Sequence, residues 1–122
     1  MIKGGVATMF VSDMSRSVQF YTERVGLELV FRAGDHWASI KAGADLMLGL
    51  HPQSDENKAG SNGSVQIGLN VSGRIEEEVE RLTAKGVSFD REIVNDEQGG
   101  VKLAFFRDPD GLELYLCESK WG

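Results

Sequence analysis

Residues 6–26 read VATMFVSDMSRSVQFYTERVG, and residues 65–86 read VQIGLNVSGRIEEEVERLTAKG. In each stretch an apolar run ends at a Val-Ser pair, a helical period follows, and a glycine stops it. The pairs are Val11-Ser12 and Val71-Ser72, and the stops are Gly26 and Gly86. Both offsets are 60 residues (11 to 71, 26 to 86), so the chain carries one supersecondary unit twice. In the first unit Asp13 is a good helix N-cap, and Met14, Val18, Tyr21 and Val25 form one apolar stripe. Gly26 suits the left-handed position past the helix end. In the second, Ser72 is the expected N-cap, Ile75, Val79 and Leu82 form the stripe, and Gly86 ends it. Glu76, Glu77 and Glu78 fall in the first turn, where the helix dipole favours acid, and read as a solvated face.

Each helix is preceded by one strand and followed by three. The expected strands of the first unit are 6–11, 27–32, 36–41 and 45–51. Those of the second are 65–71, 87–94, 101–107 and 112–118. Gly34-Asp35 and Asp108-Pro109-Asp110-Gly111 are turn signals, the latter combining a fixed proline φ with a glycine free to turn positive. Residues 52–63 are rich in Gly, Ser, Asn and Pro and read as a linker; Asn62-Gly63-Ser64 reads as a turn. The predicted architecture is α+β: two βαβββ modules, 1–51 and 64–122, whose mixed, curved sheets enclose a groove.

Successive strand residues face opposite sides of a sheet. Ala7, Met9, Val11, Leu46, Leu48 and Leu50 should lie beneath the first helix, and Val65, Ile67, Leu69, Val71, Leu112, Leu114 and Leu116 beneath the second. The opposite faces then carry Val6, Thr8, Phe10, Asp45, Met47, Gly49 and His51 in the first sheet. In the second they carry Gln66, Gly68, Asn70, Glu113, Tyr115 and Cys117. Phe10, Met47 and Tyr115 would leave apolar area in water, which argues that these faces line a groove. Trp37 adds an aromatic surface to it. The expected ligand-contacting set is Val6, Thr8, Phe10, Trp37, Met47, His51, Gln66, Asn70, Glu113 and Tyr115, with no catalytic residue and no metal ligand assigned.

The 122 residues suit one compact domain, and their formal charge of -6 argues against nucleic acid, which needs clustered Lys and Arg. An acidic surface suits cationic small molecules. No apolar stretch is long enough to span a membrane. Cys117 is the only cysteine, which excludes an internal disulfide and fits a reducing cytoplasm. His36 follows the Gly34-Asp35 turn and reads as a solvated residue.

Phe10-Val11-Ser12-Asp13-Met14, Ser17-Val18-Gln19-Phe20-Tyr21 and Val25-Gly26-Leu27-Glu28-Leu29 resemble the first-module signature of the glyoxalase/bleomycin-resistance/dioxygenase (vicinal oxygen chelate) superfamily. Phe105-Phe106-Arg107-Asp108-Pro109-Asp110-Gly111 resembles its second. In metal-using members of that superfamily each module supplies two ligands, one from its first strand and one from its last. The resemblance places those positions on Val6, on Met47 or Gly49, on Gln66 and on Tyr115. Only Gln66 is a plausible ligand, whereas a transition-metal site needs at least three protein ligands. The implied function is therefore metal-free binding of a small molecule, cationic or aromatic, of the sequestration or antibiotic-resistance type. Phe10, Phe31, Trp37, Tyr115 and Trp121 supply stacking surface for it. Two alternatives stand beside this reading. One is a metal-dependent lyase, isomerase, dioxygenase or thiol transferase using Gln66, His51 and Glu113, with Asp45 as a further recruit. The other is an accessory or protein-interaction domain. The resemblance also implies a homodimer.

Overall fold

The computed structural model describes residues 1–120; Trp121 lies outside them. Eight strands form two four-stranded mixed sheets. The first contains β1 (Val6–Val11), β2 (Glu28–Ala33), β3 (Trp37–Ala42) and β4 (Leu46–Pro52) in the order β1-β4-β3-β2. The second contains β5 (Ile67–Asn70), β6 (Val94–Asp96), β7 (Val101–Arg107) and β8 (Glu113–Ser119) in the order β5-β8-β7-β6. In each sheet the leading strand pairs parallel with the last and the other pairs are antiparallel. The helix α1 (Met14–Gln19) lies on β3 and β4, and α2 (Ile75–Ala84) lies on β7 and β8.

Local sequence accounts for α1. Asp13 caps it, its carboxylate accepting from the Arg16 N–H at 3.1 Å. Met14, Val18, Tyr21 and Val25 are all buried. Beyond Gln19 the helix continues as a π-helical turn, Phe20–Arg24, with the Val25 N–H reaching back to the Phe20 carbonyl at 3.0 Å. Gly26 and Gly86 follow the two helices at φ of 89° and 95°, as their stop positions require.

Three expectations needed correction. Ser72 does not cap α2. The Val71 N–H still bonds to the Cys117 carbonyl in a strand-like way, so the helix begins only at Ile75, the first residue of the buried stripe. Its first N–H is satisfied from across the sheet by the Glu118 carboxylate at 2.7 Å. Glu118→Ala should therefore cost about 1 kcal/mol, the usual loss of a helix cap, and Glu118→Gln less, read from urea denaturation midpoints. Second, residues 87–94 do not form a full strand. Phe89 makes one bridge to Phe106, after which Arg91 turns over the Phe105 ring at 3.9 Å, and regular pairing resumes only at Val94–Asp96. Third, β5 is shorter than expected. Val65 is 60% exposed instead of lying beneath α2, because the Asn62 side-chain amide holds its carbonyl in a turn.

The core is one cluster drawn from both halves, including Tyr21, Ile40, Leu48 and Leu50 with Ile75, Leu82, Phe106 and Leu114. Two devices join the halves. The Tyr21 hydroxyl donates to Asp108 Oδ2 at 2.8 Å, while Asp108 Oδ1 accepts from the backbone N–H groups of Asp110 and Leu112. Asp110 in turn bonds Ser12 and pairs with Arg16. The Asp108-Pro109-Asp110-Gly111 turn thus clasps α1. The second device is reciprocal: Arg81 of α2 lies against Gly26, and Arg24 of the π-helical turn covers the spot a side chain on Gly86 would occupy.

Candidate functional site

The registers of the strands lay out the sheet face opposite each helix. On the first sheet Val6 stands beside Met47, Thr8 beside Gly49, and Phe10 beside His51. Ser39 continues the Thr8 row, and Phe31 pairs with Ser39 on β2. Gly49 carries no side chain because the Trp37 indole lies directly over it, with Val6 on its other flank. The indole N–H donates to Ser39 Oγ at 2.7 Å, which anchors the ring over Gly49. His51 is edge-on to both neighbours, 5.6 Å from the Phe10 ring and 6.3 Å from Trp37. Its Nδ1 sits 2.8 Å from the Pro52 carbonyl, which can only accept, so Nδ1 is the donor of that bond. The result is a partly exposed aromatic platform of Phe10, His51 and Trp37, extended by Phe31, which is 57% exposed.

The second sheet repeats the device. Gly68 is bare because the Tyr115 ring lies over it. Tyr115 stands 5.7 Å from Phe105, which is covered on its open side by the Arg91 guanidinium. Glu113 is held by Arg107 at 3.3 Å and by Arg91 at 3.8 Å. Asn70 is exposed beside Cys117, and Gln66 is exposed just before β5. Thus Val6, Thr8, Phe10, Trp37, Met47 and His51 share the first sheet's face, and Asn70, Glu113 and Tyr115 share the second's. His36 is exposed, as its turn position led us to expect.

A cleft of about 360 Å³ opens between the two leading strands. Thr8 and Phe10 line one wall, Ile67 and Val65 the other, and residues 56–62 of the connecting segment form its rim. That segment is ordered by its own polar groups: Gln53 Oε1 accepts from the Ala59 N–H at 3.1 Å, and Asn62 brackets the Glu113 backbone through bonds of 2.9 and 3.0 Å. Sequence reasoning treated these residues as a linker and missed them as lining. Phe105 and Arg91 were also missed. Arg91 lies in the stretch read as strand, and only its stacking on Phe105 brings it to the face.

The donor chemistry at the four positions that metal-using relatives employ does not fit a transition metal. Val6 and Met47 or Gly49 meet on adjacent strands and offer at most a thioether, while Gln66 and Tyr115 offer an amide and a phenol. The shifted set fares no better. His51 is on the first sheet, Gln66 is exposed just before β5, and Glu113 is already balanced by two guanidiniums. Among the described residues no three His, Cys, Asp or Glu side chains are grouped to hold an ion within one chain.

Solved structures reproduce this fold over nearly the whole chain. A superfamily member from Sphaerobacter thermophilus DSM 20745 is 27% identical, with a TM-score of 0.81 and 98% of each chain covered. TnmS3, an antibiotic-binding protein from Streptomyces sp. CB03234, is also 27% identical, with a TM-score of 0.80 and 98% of each chain covered. SMU.1112c is 27% identical at a TM-score of 0.78, covering 97% of this chain and 99% of that one. No curated protein matches the sequence. Residues 5–116 match the Glyoxalase/Bleomycin resistance protein/Dioxygenase superfamily, so with its two mixed sheets and duplicated helix–glycine pattern the chain belongs to that family.

Proposed function

We propose that this protein binds a small planar molecule, aromatic or cationic, on the sheet faces opposite its helices, and holds it without a resident metal. The observation that carries this reading is the aromatic cluster of Phe10, His51 and Trp37, packed edge to face, with the indole over the bare Gly49. Flat rings present π faces on which aromatic and cationic groups stack. The chain's acidic balance favours cations over anions at long range. The likeness to an antibiotic-binding protein supports sequestration as the role. The ligand-contacting set is Val6, Thr8, Phe10, Trp37, Met47 and His51 from the first module, 1–51, with Gln66, Asn70, Glu113 and Tyr115 from the second, 64–122. The protein acts as a homodimer: Leu29, Val30 and Phe31 on an edge strand are 41%, 51% and 57% exposed, apolar area that a second copy would cover. A reducing cytoplasm suits its single cysteine.

Isothermal titration against bleomycin and a panel of planar cationic dyes tests the reading. Saturable binding is expected, weakened about tenfold in Trp37→Ala through loss of stacking. No binding to any of them at high concentration would overturn this reading, and stoichiometric Ni, Zn, Fe or Mn in protein purified without chelator would replace it with the metal-dependent one.

A further inference from the structure

Phe10 belongs to two surfaces. Its ring meets His51 in the aromatic cluster, and it also lines the cleft of about 360 Å³ between β1 and β5. Thr8, on the same face of β1, lines that cleft too. The volume is near the low end for small-molecule sites, room for one substituent of a larger ligand. Below the rim the walls are largely apolar: Met9 and Leu112 are buried, and Ile67 and Val65 stand across from Phe10. Val65 is 60% exposed, so the cleft leaves apolar area uncovered. The rim is built in advance of any ligand. Gly60, at φ of 81°, lies where a Cβ would collide with the Asp110 carbonyl, and the Asn62 amide donates to the carbonyls of Val65 and Glu113 at 3.1 and 3.0 Å. Its charged groups stay in water at the mouth: Glu56 and Lys58 are both exposed, and Lys58 pairs with Asp55 at 3.6 Å.

We infer that the ligand has two parts: a planar head that stacks at the aromatic cluster, and an aliphatic arm that enters the cleft between the modules. This rests on the reading of the cluster as a site for planar molecules. Phe10 is the shared wall, with the head beside its contact to His51 and the arm beside its cleft side. The arm covers Val65 and Ile67, and each methylene taken out of water there tightens binding about fourfold. Because the rim is already held by Gly60 and Asn62, little of that gain is lost to ordering the protein.

The test titrates N-methyl and N-butyl acridinium, which share one planar head, into the full chain and into Val65→Trp, whose indole fills the cleft. In the wild type the butyl compound should bind tighter by about fourfold for each methylene buried, and the ratio of the two affinities should fall close to one in Val65→Trp. Val65 is exposed, so the replacement does not disturb the core. A second measurement needs no variant: the backbone amide resonances of Gly60 and Ser61 should shift saturably with the butyl compound and stay in place with the methyl one. Equal affinities in the wild type, an undiminished ratio in Val65→Trp, or unmoved Gly60 and Ser61 amides would each overturn the two-part ligand while N-methyl acridinium still bound at the cluster. Failure of the N-methyl compound itself would remove the aromatic site, and the arm with it.

Discussion

Asp108→Ala should lower folding stability by about 3 kcal/mol, since it leaves the buried Tyr21 hydroxyl and the N–H groups of Leu112 and Asp110 without their acceptor. For a domain of this size that corresponds to a fall in Tm of roughly 12 °C. Asp108→Asn should be much milder, because an amide keeps an oxygen for the two N–H groups and can donate to the Tyr21 oxygen. The pH dependence has a definite sign. Burial, first of all, pushes the Asp108 carboxyl above its ordinary value of 3.8, and burial together with the Asp108 charge holds the Tyr21 hydroxyl well above 10.0. A carboxyl whose folded pKa exceeds its unfolded one stabilises fully below the unfolded value and loses that contribution as pH rises through the folded value. The stability advantage of wild type over Asp108→Asn should therefore be largest at the acid end and shrink as pH rises above the ordinary carboxyl value of 3.8 and through the raised folded one. Urea denaturation of both proteins between about pH 3 and about pH 7 measures it. A difference independent of pH would mean that Asp108 is not titrating against the folded structure.

Gly49→Ala should be the most damaging single methyl on the ligand-binding face. A Cβ at that position falls within the Trp37 indole and 3.0 Å from a Val6 methyl, so the indole must leave the sheet and abandon its bond to Ser39. Overpacking of this kind costs about 1–3 kcal/mol. The larger consequence is for ligand binding. With Trp37 displaced, the platform it forms with His51 and Phe10 is dismantled, and binding of a planar ligand should fall by more than the loss in Trp37→Ala. The two variants separate the effects. Trp37→Ala removes one stacking surface and leaves Gly49 open, whereas Gly49→Ala puts the displaced indole into the ligand's space. Titration calorimetry on both, with near-ultraviolet circular dichroism to follow the indole, checks the prediction. Unchanged affinity in Gly49→Ala would mean that the ligand does not use this face.

Much of the fold was readable along the chain. The stripe from Met14 to Val25, the Asp13 cap and the two closing glycines are set by helical geometry acting over a few residues, and all stand as expected. Strand alternation was equally informative in β1, β4 and β8, where the predicted inward residues Met9, Val11, Leu48, Leu50, Leu114 and Leu116 are buried. It failed at Val65 and in residues 87–94, where side chains determine the path: Asn62 ties Val65 into a turn, and Arg91 leaves the ladder to stack on Phe105. The family signature segments turn out to be largely structural. Tyr21 from one and Asp108 from the other meet in a buried hydrogen bond that joins the halves of the molecule.

The duplicated βαβββ pattern, and in β1, β4 and β8 which side chains face away from the helices, were legible along the chain, because both follow from backbone periods of two and 3.6 residues. Only the tertiary structure decided that Glu118 caps α2, that residues 56–62 rim a cleft beside Phe10, and that Arg24 lies across Gly86. Each of these joins residues far apart in the chain, and such pairings arise from packing in three dimensions, which no local spacing encodes.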